Sequence, residues 1–482
     1  MAGIGLFGTM EMARNSLAVS RTAAEVTGHN LANASDPSYA RQRIRTAAAP
    51  SLLTPQGPQG TGSFVKGFEQ IRDTTLDKYL VSEKYLTGYY NSKLTTLTQA
   101  QARLGQVLDR QTVDPKSGQA GQTGLAERLT DFFNTFQSLA AAPTSNTERR
   151  LSIVSAQELA DRFQRANERL TSLRTDINSE VTNATKEANR LLESISVISQ
   201  RIGASESDET GSANELRDQR QAWFEELAEF TNFNTTEDTE GKMTLTISGH
   251  IMIKEDGLID QLTTTQITNN PTAAQTGMTY VSSKSTGELL NVSSGKTKGL
   301  IDARDDTIYT ILNEINKVAE NLITEVNNLH VTGYDLAGNN ENTLKFFTGT
   351  NASDIGVNQT LIANPQRVQA SAYANEPGDN TIAKKIANLA SKTITNLGSL
   401  TFNERYSNAV AQFGQAISNI ETHLEAQESV ERLLLKQRDM ISGVSIDEEV
   451  SNLMIYQRAF QASSRLITTV DSLLADLLNM QR

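Results

Sequence analysis

Apolar residues recur along this chain at alternating spacings of three and four over very long stretches, the signature of helices that pack along one face. Near the start, Leu6, Met10, Ala13, Leu17, Ser20, Ala24, Thr27 and Leu31 occupy the a and d columns of a heptad. Only four of these eight are large and apolar, so the seam is thin. A richer seam ends the chain through Leu453, Tyr456, Phe460, Ser463, Ile467, Val470, Leu474 and Leu477, with Ile446 one heptad upstream. Between them, Tyr90, Leu94, Leu97, Leu104 and Leu108 mark one helix. Phe163, Ala166, Leu170, Leu173, Ile177, Val181, Ala184, Ala188, Leu191, Ile195, Ile198 and Ile202 mark a much longer one. Its successive steps of four at Leu173, Ile177 and Val181 form a stutter, and at 1.5 Å per residue it spans ~60 Å. Further helices are expected around Ile308–Leu329 and through Val410, Phe413, Ile417, Ile420 and Leu424.

Proline supplies the punctuation. The nine prolines leave residues 1–36, 144–270 and 378–482 free for uninterrupted helices. Pro50, Pro55 and Pro58, with Gly57, Gly60 and Gly62, read as an extended, irregular linker. Between 236 and 300 the period drops to two. Met243, Leu245 and Ile247 alternate with polar residues, Ser248-Gly249 turns, and His250–Ile253 returns. Short runs at 278–283 and 288–293 are also expected to be strands. The fold class is therefore mainly α with a β insert: N- and C-terminal helices paired as a coiled coil, a central long-helix bundle and a small β-rich outer domain. The expected divisions are 1–49 with 436–482, 50–235 with 301–435, and 236–300. Both termini return to one end of an elongated molecule.

Composition narrows the chemistry. The 482 residues carry a net charge of −12 and no cysteine, which excludes disulfides, thiolate metal sites and cysteine nucleophiles. An acidic chain has no footprint for nucleic acid or an anionic membrane. The longest apolar run is four residues, far below a membrane span, and no secretory leader is expected at the N terminus. Gly3, Gly5 and Gly8 spell a dinucleotide-loop pattern, but no strand precedes them. Gly295-Lys296-Thr297 resembles the end of a phosphate loop, yet Leu290 stands where its first glycine belongs. The four histidines, His29, His250, His330 and His423, are scattered. The densest cluster, His330-x-x-Gly333-x-Asp335-x-x-Gly338, reads as a polar turn closing a helix rather than a ligand pair. The chain is expected to hold no catalytic residue, cofactor or metal.

The thin terminal seams carry a physical consequence. Ordering both end helices costs backbone entropy that few large apolar side chains offset. Residues 1–45 and 440–482 are thus expected to become ordered on assembly, with neighbouring chains covering the helix faces left open. Ala13, Ala18, Ala23, Ala24 and Ala32 would permit close approach of other helices.

Several segments carry a family resemblance. Residues 28–43, GHNLANASDPSYARQR, resemble the N-terminal signature of bacterial flagellar axial proteins through Asn30, Ala32, Asn33, Pro37 and Tyr39. His29, Asp36 and Ser38 depart from it, and Ser38 removes the glycine that would adopt positive φ easily. GTGSFVKGFEQIRDTTL (60–76), LRDQRQAWFEELAEF (216–230), NNLHVTGYDLAGN (327–339) and the ending at 442–480 resemble segments of the hook-associated protein 1 family. The ending matches through Gly443, Asp447, Glu448, Glu449, Tyr456, Gln457, Ala459, Gln461, Ala462 and Ser463.

The resemblance implies a structural, non-enzymatic subunit joining hook to filament outside the cell, exported by the flagellar type III apparatus. It implies partners as well: further copies of itself in a ring, hook protein, the second hook–filament junction protein and a cytoplasmic export chaperone on the C-terminal helix. It implies neither nucleic-acid binding nor membrane insertion. Leu6, Met10, Leu17, Leu31, Asn30, Asn33, Pro37 and Tyr39, with Leu453, Tyr456, Phe460, Ile467, Val470, Leu474 and Leu477, are the expected assembly residues. Other readings are another axial protein, such as the second junction protein or hook protein, and an exported helical effector or adhesin.

Overall fold

A computed structural model describes residues 5–54, 57–108, 124–206, 213–238, 242–268 and 271–480. The first helix, α1 (Leu6–Ala32), leads into strands β1 (Gln42–Ala48), β2 (Leu52–Thr54), β3 (Gly57–Gln59) and β4 (Ser63–Gln70). Four helices follow: α2 (Thr74–Leu108), α3 (Leu125–Ala141), α4 (Asn146–Ser205) and α5 (Asn214–Phe230). Strands β5 (Asn234–Glu237), β6 (Met243–Ile247), β7 (His250–Lys254), β8 (Gly257–Leu258), β9 (Leu262–Gln266) and β10 (Thr279–Ser283) form the β insert. The chain returns through α6 (Gly295–Asp302), a π-helical stretch at Ala303–Thr307 and α7 (Ile308–His330). After β11 (Phe347–Thr348), β12 (Gly356–Val357), α8 (Gln359–Ala363) and α9 (Thr381–Ala387), two long helices close it, α10 (Phe402–Ser442) and α11 (Ile446–Met480).

The spine is α4, whose 60 residues span ~90 Å. It starts where the Ser145 side chain accepts the Glu148 amide at 3.3 Å. All the seam residues expected from Phe163 to Ile202 are buried, and Ile153, Ala156 and Leu159 extend the seam toward the N terminus. Its first half packs with α3, α7 and the start of α10 around a phenylalanine cluster of Phe132, Phe133, Phe136, Phe346, Phe347 and Phe402. The second half, from Ala188, packs with α5 and the β insert.

Within that insert, β5–β6–β7–β8 form one antiparallel sheet and β9–β10 a separate pair. The β6–β7 turn sits at Ser248 and Gly249, both with positive φ (51° and 82°), the geometry of a two-residue hairpin. A register shift between Leu245 and Thr246 turns Ile251 outward. The run at 288–293 is not a strand; only an isolated bridge joins Leu289 to Ser282.

One other expectation is corrected, and two regions are filled in. The 50–62 segment contains a β2–β3 hairpin, and β1 and β4 pair over their length with a bulge at Arg45/Thr46, forming a ribbon beside α1. Residues 331–401 carry only short elements joined by turns, because Asn, Asp, Ser and Thr side chains compete for backbone groups there and Gly favours turns. The helix read through 410–424 runs from Phe402 to Ser442, opened by a capping box of Thr401 and Glu404. Leu108 is the last residue of α2, and its side chain, like Gly3, lies outside the described residues.

Candidate assembly surface and its clasp

Helices α1 and α11 run antiparallel: Ser463 donates to Ser16 at 3.0 Å near their middle, and Asn30 meets Glu449 at 3.1 Å near one end. The buried face of α1 is Ala13, Ser20, Ala23, Thr27 and Asn30. The columns at 13, 20 and 27 match the expected seam, but the other column is 23 and 30 rather than 24 and 31. Leu6, Leu17 and Leu31 are half-buried flanks, and Met10 is exposed. On α11, Ser463 and Val470 are buried, while Leu453, Tyr456, Ile467 and Leu474 are half-buried. Phe460, in the same column as half-buried Leu453, Ile467 and Leu474, is 37% exposed. The Leu477 side chain lies outside the described residues. Ranking side chains by size selects Leu17, Leu31 and Phe460. The seam instead uses small residues, because these let two helix backbones approach closely.

Other large residues are left exposed. Ile446, Val450, Met454, Ile455, Leu466, Leu473, Leu478 and Met480 are exposed on α11, as are Phe7 and Met10 on α1. Exposed apolar side chains recurring along both helices mark an interaction face.

The N-terminal signature builds a polar clasp at the inner end of this pair. Buried Asn30 satisfies its whole amide: Oδ1 accepts from the Tyr39 hydroxyl (2.8 Å) and the Gln42 amide (3.0 Å), and Nδ2 donates to the Gln42 carbonyl (2.9 Å) and to Glu449. Arg41 donates to the same Glu449 at 2.8 Å and to Glu448 at 2.7 Å, while its backbone amide reaches the Ser442 carbonyl at 2.9 Å. Asn33 closes α1 by donating to the His29 carbonyl at 3.0 Å, and His29 lies 3.1 Å from both the Tyr39 hydroxyl and Glu215. The Pro37 carbonyl accepts from Arg438, which also pairs with Glu225 at 2.6 Å. Ser38 does not take a left-handed conformation; its amide and hydroxyl donate to Asp36 at 2.8 and 2.7 Å, replacing the glycine turn with a side-chain one. Arg72 ties the turn to the helical body through the Ser38 carbonyl, Asp218 (2.8 Å) and Asp77 (3.4 Å). Burial pushes Asp218 up to about 6 against the pull of Arg72, and raises Asp77 for the same reason.

Asn30, Asn33, Pro37 and Tyr39 thus converge, while Arg41, Arg72, Asp218, Glu225, Arg438 and Glu449 complete the clasp without having been singled out for it. Glu449 stands among the residues through which the ending resembles the family, and Arg72, Asp218 and Glu225 lie in segments that resemble it, but no signal joined them to Asn30.

Elsewhere the polar motifs serve packing. The His330 Nδ1 lies 2.9 Å from the Leu344 carbonyl and Nε2 accepts the Gln369 amide at 3.0 Å, so both nitrogens are held by backbone. Burial lowers this imidazole to about 4. Asp335 accepts the Ala337 and Asn339 amides, closing the turn. Gly295 opens α6 against Phe230 and Thr231, where an added Cβ would lie 2.6 Å from the Thr231 nitrogen. His250 and Ser283 both reach Asp260 rather than each other, which anchors strands instead of forming a nucleophile–base pair. Although burial opposes it, the Ser283 and Ser285 hydroxyls pull Asp260 down to about 2. Among the described residues no group of three or more His, Cys, Asp or Glu could hold a metal, and no helix is long and apolar enough to cross a membrane.

Comparison with known proteins fits this geometry. Residues 111–347 match the family described as flagellar hook-associated protein FlgK helical domain, and residues 440–480 match flagellar basal body rod FlgEFG protein C-terminal. Flagellar hook-associated protein 1 of Bacillus subtilis is 25% identical over 98% of this chain and 97% of its own length. The Salmonella typhimurium protein of that name is 22% identical over 97% and 99%, respectively. The solved structure of the flagellar hook junction protein FlgK from Burkholderia pseudomallei superposes with a TM-score of 0.63 at 14% identity, covering 76% of this chain and all of that one.

Proposed function

The chain belongs to the flagellar hook-associated protein 1 family, and from that premise we propose how its geometry does the work of a junction. It is a structural subunit of the bacterial flagellum between hook and filament, part of the exported axial structure outside the cell. It assembles with other axial components. The finer reading is that copies of the chain form a ring, with hook protein on one side and the second junction protein on the other. A cytoplasmic chaperone holds the C-terminal helix before export. On this reading the chain catalyses no reaction.

In this scheme residues 1–49 with 436–482 enter the helical lattice, 50–235 with 301–435 form the body, and 236–300 lie outermost. The end pair continues the lattice while the body takes up the mismatch between a bending hook and a stiff filament. One observation supports the reading above the others: the fully buried positions of the end pair are mostly small, while Ile455, Leu466 and Leu473 stay exposed. In the separate chain that surface stays in water, and neighbouring copies remove it.

Leu466→Asp with Leu473→Asp tests this, since both residues are exposed in the single chain. The variant should fold and be exported with an unchanged unfolding transition of the body, while cells carry hooks without filaments. Normal filament attachment and swimming would overturn the reading.

A further inference from the structure

Helices α2 and α5 cross so closely that a Cβ on Gly88 would lie 2.3 Å from the Glu229 carbonyl oxygen. One face of α2 is covered by α10: Thr87 donates to Glu431 at 2.7 Å, Lys84 pairs with the same carboxylate at 3.5 Å, and Gln427 reaches Glu83. The opposite face, on which Lys78, Ser82 and Tyr85 recur at helical spacing, opens into a groove of 1170 Å³ walled by α5, β4 and β5. No α10 residue lines it. Phe68, Tyr79, Tyr85, Phe224 and Phe233 give it an aromatic floor and rim, and Phe68 and Tyr79 are exposed. Its charged lining runs against the acidic chain as a whole. Arg45, Lys66, Lys78, Arg217 and Arg220 face Glu69 and Glu237, with the Arg72–Asp77 pair at one end.

The outer face of α10 is complementary. Gln427, Glu431, Leu434 and Arg438 point inward, so Val430, Leu433, Gln437 and Met440 point out; Leu433 is 66% and Met440 79% exposed. Exposed Glu421, Glu425, Glu428 and Asp439 flank this stripe along one side of the helix, interspersed with Arg432 and Lys436 of opposite sign. The geometry points to a second copy of this chain as the occupant of the groove, with the outer face of α10 of one subunit seated between α2, α5 and the β4 edge of the next. Apolar residues fill the aromatic floor, and glutamates meet the lysines and arginines at the rim. Groove and stripe flank the same helix on opposite sides, so the contact is heterologous and repeats from subunit to subunit around a ring. This inference rests on the junction reading and adds to it a lateral contact outside the terminal helices.

The absence of cysteine makes the test clean. A chain carrying Leu433→Cys and Tyr79→Cys is incorporated into flagella, and isolated hook–filament assemblies are treated with a short bismaleimide. A ladder of covalent dimers, trimers and longer species is expected, with none from either single variant. Labelling of Glu168→Cys, at an exposed position of α4, by a monofunctional maleimide reports that the reagent reaches the assembled chain. Assemblies that contain the double variant but give no ladder would overturn the groove contact and leave the junction reading standing. Hooks and filaments from which the unsubstituted chain is missing would sink the junction reading itself. A second pair of variants covers failure of the cysteine chain to incorporate. Lys66→Glu with Lys78→Glu should abolish filament attachment, and adding Glu425→Lys and Glu428→Lys should restore it; no restoration would overturn the contact.

Discussion

Replacing Asn30 by leucine keeps most of the side-chain volume and removes every hydrogen bond at the centre of the clasp. Three of the four bonds are to neutral groups, the Tyr39 hydroxyl and both backbone groups of Gln42, and one is to ionised Glu449. At about 1 kcal/mol for each neutral bond and about 2 kcal/mol for the charged one, the loss sums to ~5 kcal/mol. Bonds sharing one buried amide are not independent, so ~3–5 kcal/mol is the working range. At 1.4 kcal/mol per decade, the opening of α1 from α11 and from the β1–β4 ribbon should become roughly a thousandfold more frequent. The amide of Gln42 is no guide, because it loses its own acceptor. Amides between Ala13 and Thr27 are bonded within α1 in both proteins, and hydrogen exchange followed by mass spectrometry should show their protection falling by about that factor. Amides of α4 should not change. Asn30→Asp should be at least as damaging at neutral pH, since it places a second carboxylate against Glu449 without donors of its own. Protection of α1 within threefold of the unsubstituted chain in both variants would refute the idea that this amide holds the end helices to the body.

Two other perturbations follow from the same packing. Ala23 is 2% exposed in the α1–α11 seam, so Ala23→Leu should overpack it by about 1–3 kcal/mol and push the helices apart, lowering α1 protection while the main unfolding transition stays in place. His330 has the acid sensitivity of a histidine kept neutral. Its folded value of about 4 lies below the ordinary 6.5, so the unfolded chain binds the proton more readily; its stabilisation is complete above about pH 6.5 and is lost as pH falls toward 4, by ~3 kcal/mol at most. Comparing urea midpoints of the native chain and His330→Gln at pH 7.5 and 4.5 isolates that slope, because Asp218, raised to about 6, contributes in the opposite sense, losing its stabilisation as pH rises through that value. An identical pH slope in the two proteins would remove His330 from the account.

How much of this was legible depended on whether local chemistry or distant partners set the structure. The α4 spine was readable because large apolar residues repeat at helical spacing through a proline-free stretch, and every one is buried. The β6–β7 hairpin was readable because Ser248-Gly249 supplies the two positive-φ residues its turn needs. The β1–β4 ribbon was not, since neither strand is buried enough for its few apolar residues to show a clear alternation, and Phe64 and Phe68 stay exposed. The α1 seam was misread by one residue in one column, because size was weighed above fit. The clasp illustrates the deepest gap. Arg41 and Glu449 are 408 positions apart, and nothing in either segment names the other. Family resemblance marked Asn30, Tyr39 and Glu449 as worth keeping, but only the fold shows that they belong to a single hydrogen-bonded cluster.

Clasp and stripe divide the work of the end helices in the proposed junction role. Hydrogen bonds and ion pairs are directional but contribute modest net energy, so the Asn30–Tyr39–Arg41–Glu449 cluster fixes the angle at which the end helices leave the body without making them adhesive. The small-residue seam adds closeness rather than large apolar burial. Gly443 keeps the bend between α10 and α11 tight, since a Cβ there would lie 2.2 Å from the Asp439 carbonyl oxygen. A further favourable term is available to any neighbour that covers exposed Ile455, Leu466 and Leu473, in proportion to the area it removes from water. On the proposed junction role, partners that engage the ordered pair stabilise it further by mass action. A seam of large leucines would bury that apolar surface inside the single chain and leave less of it for a neighbour to cover.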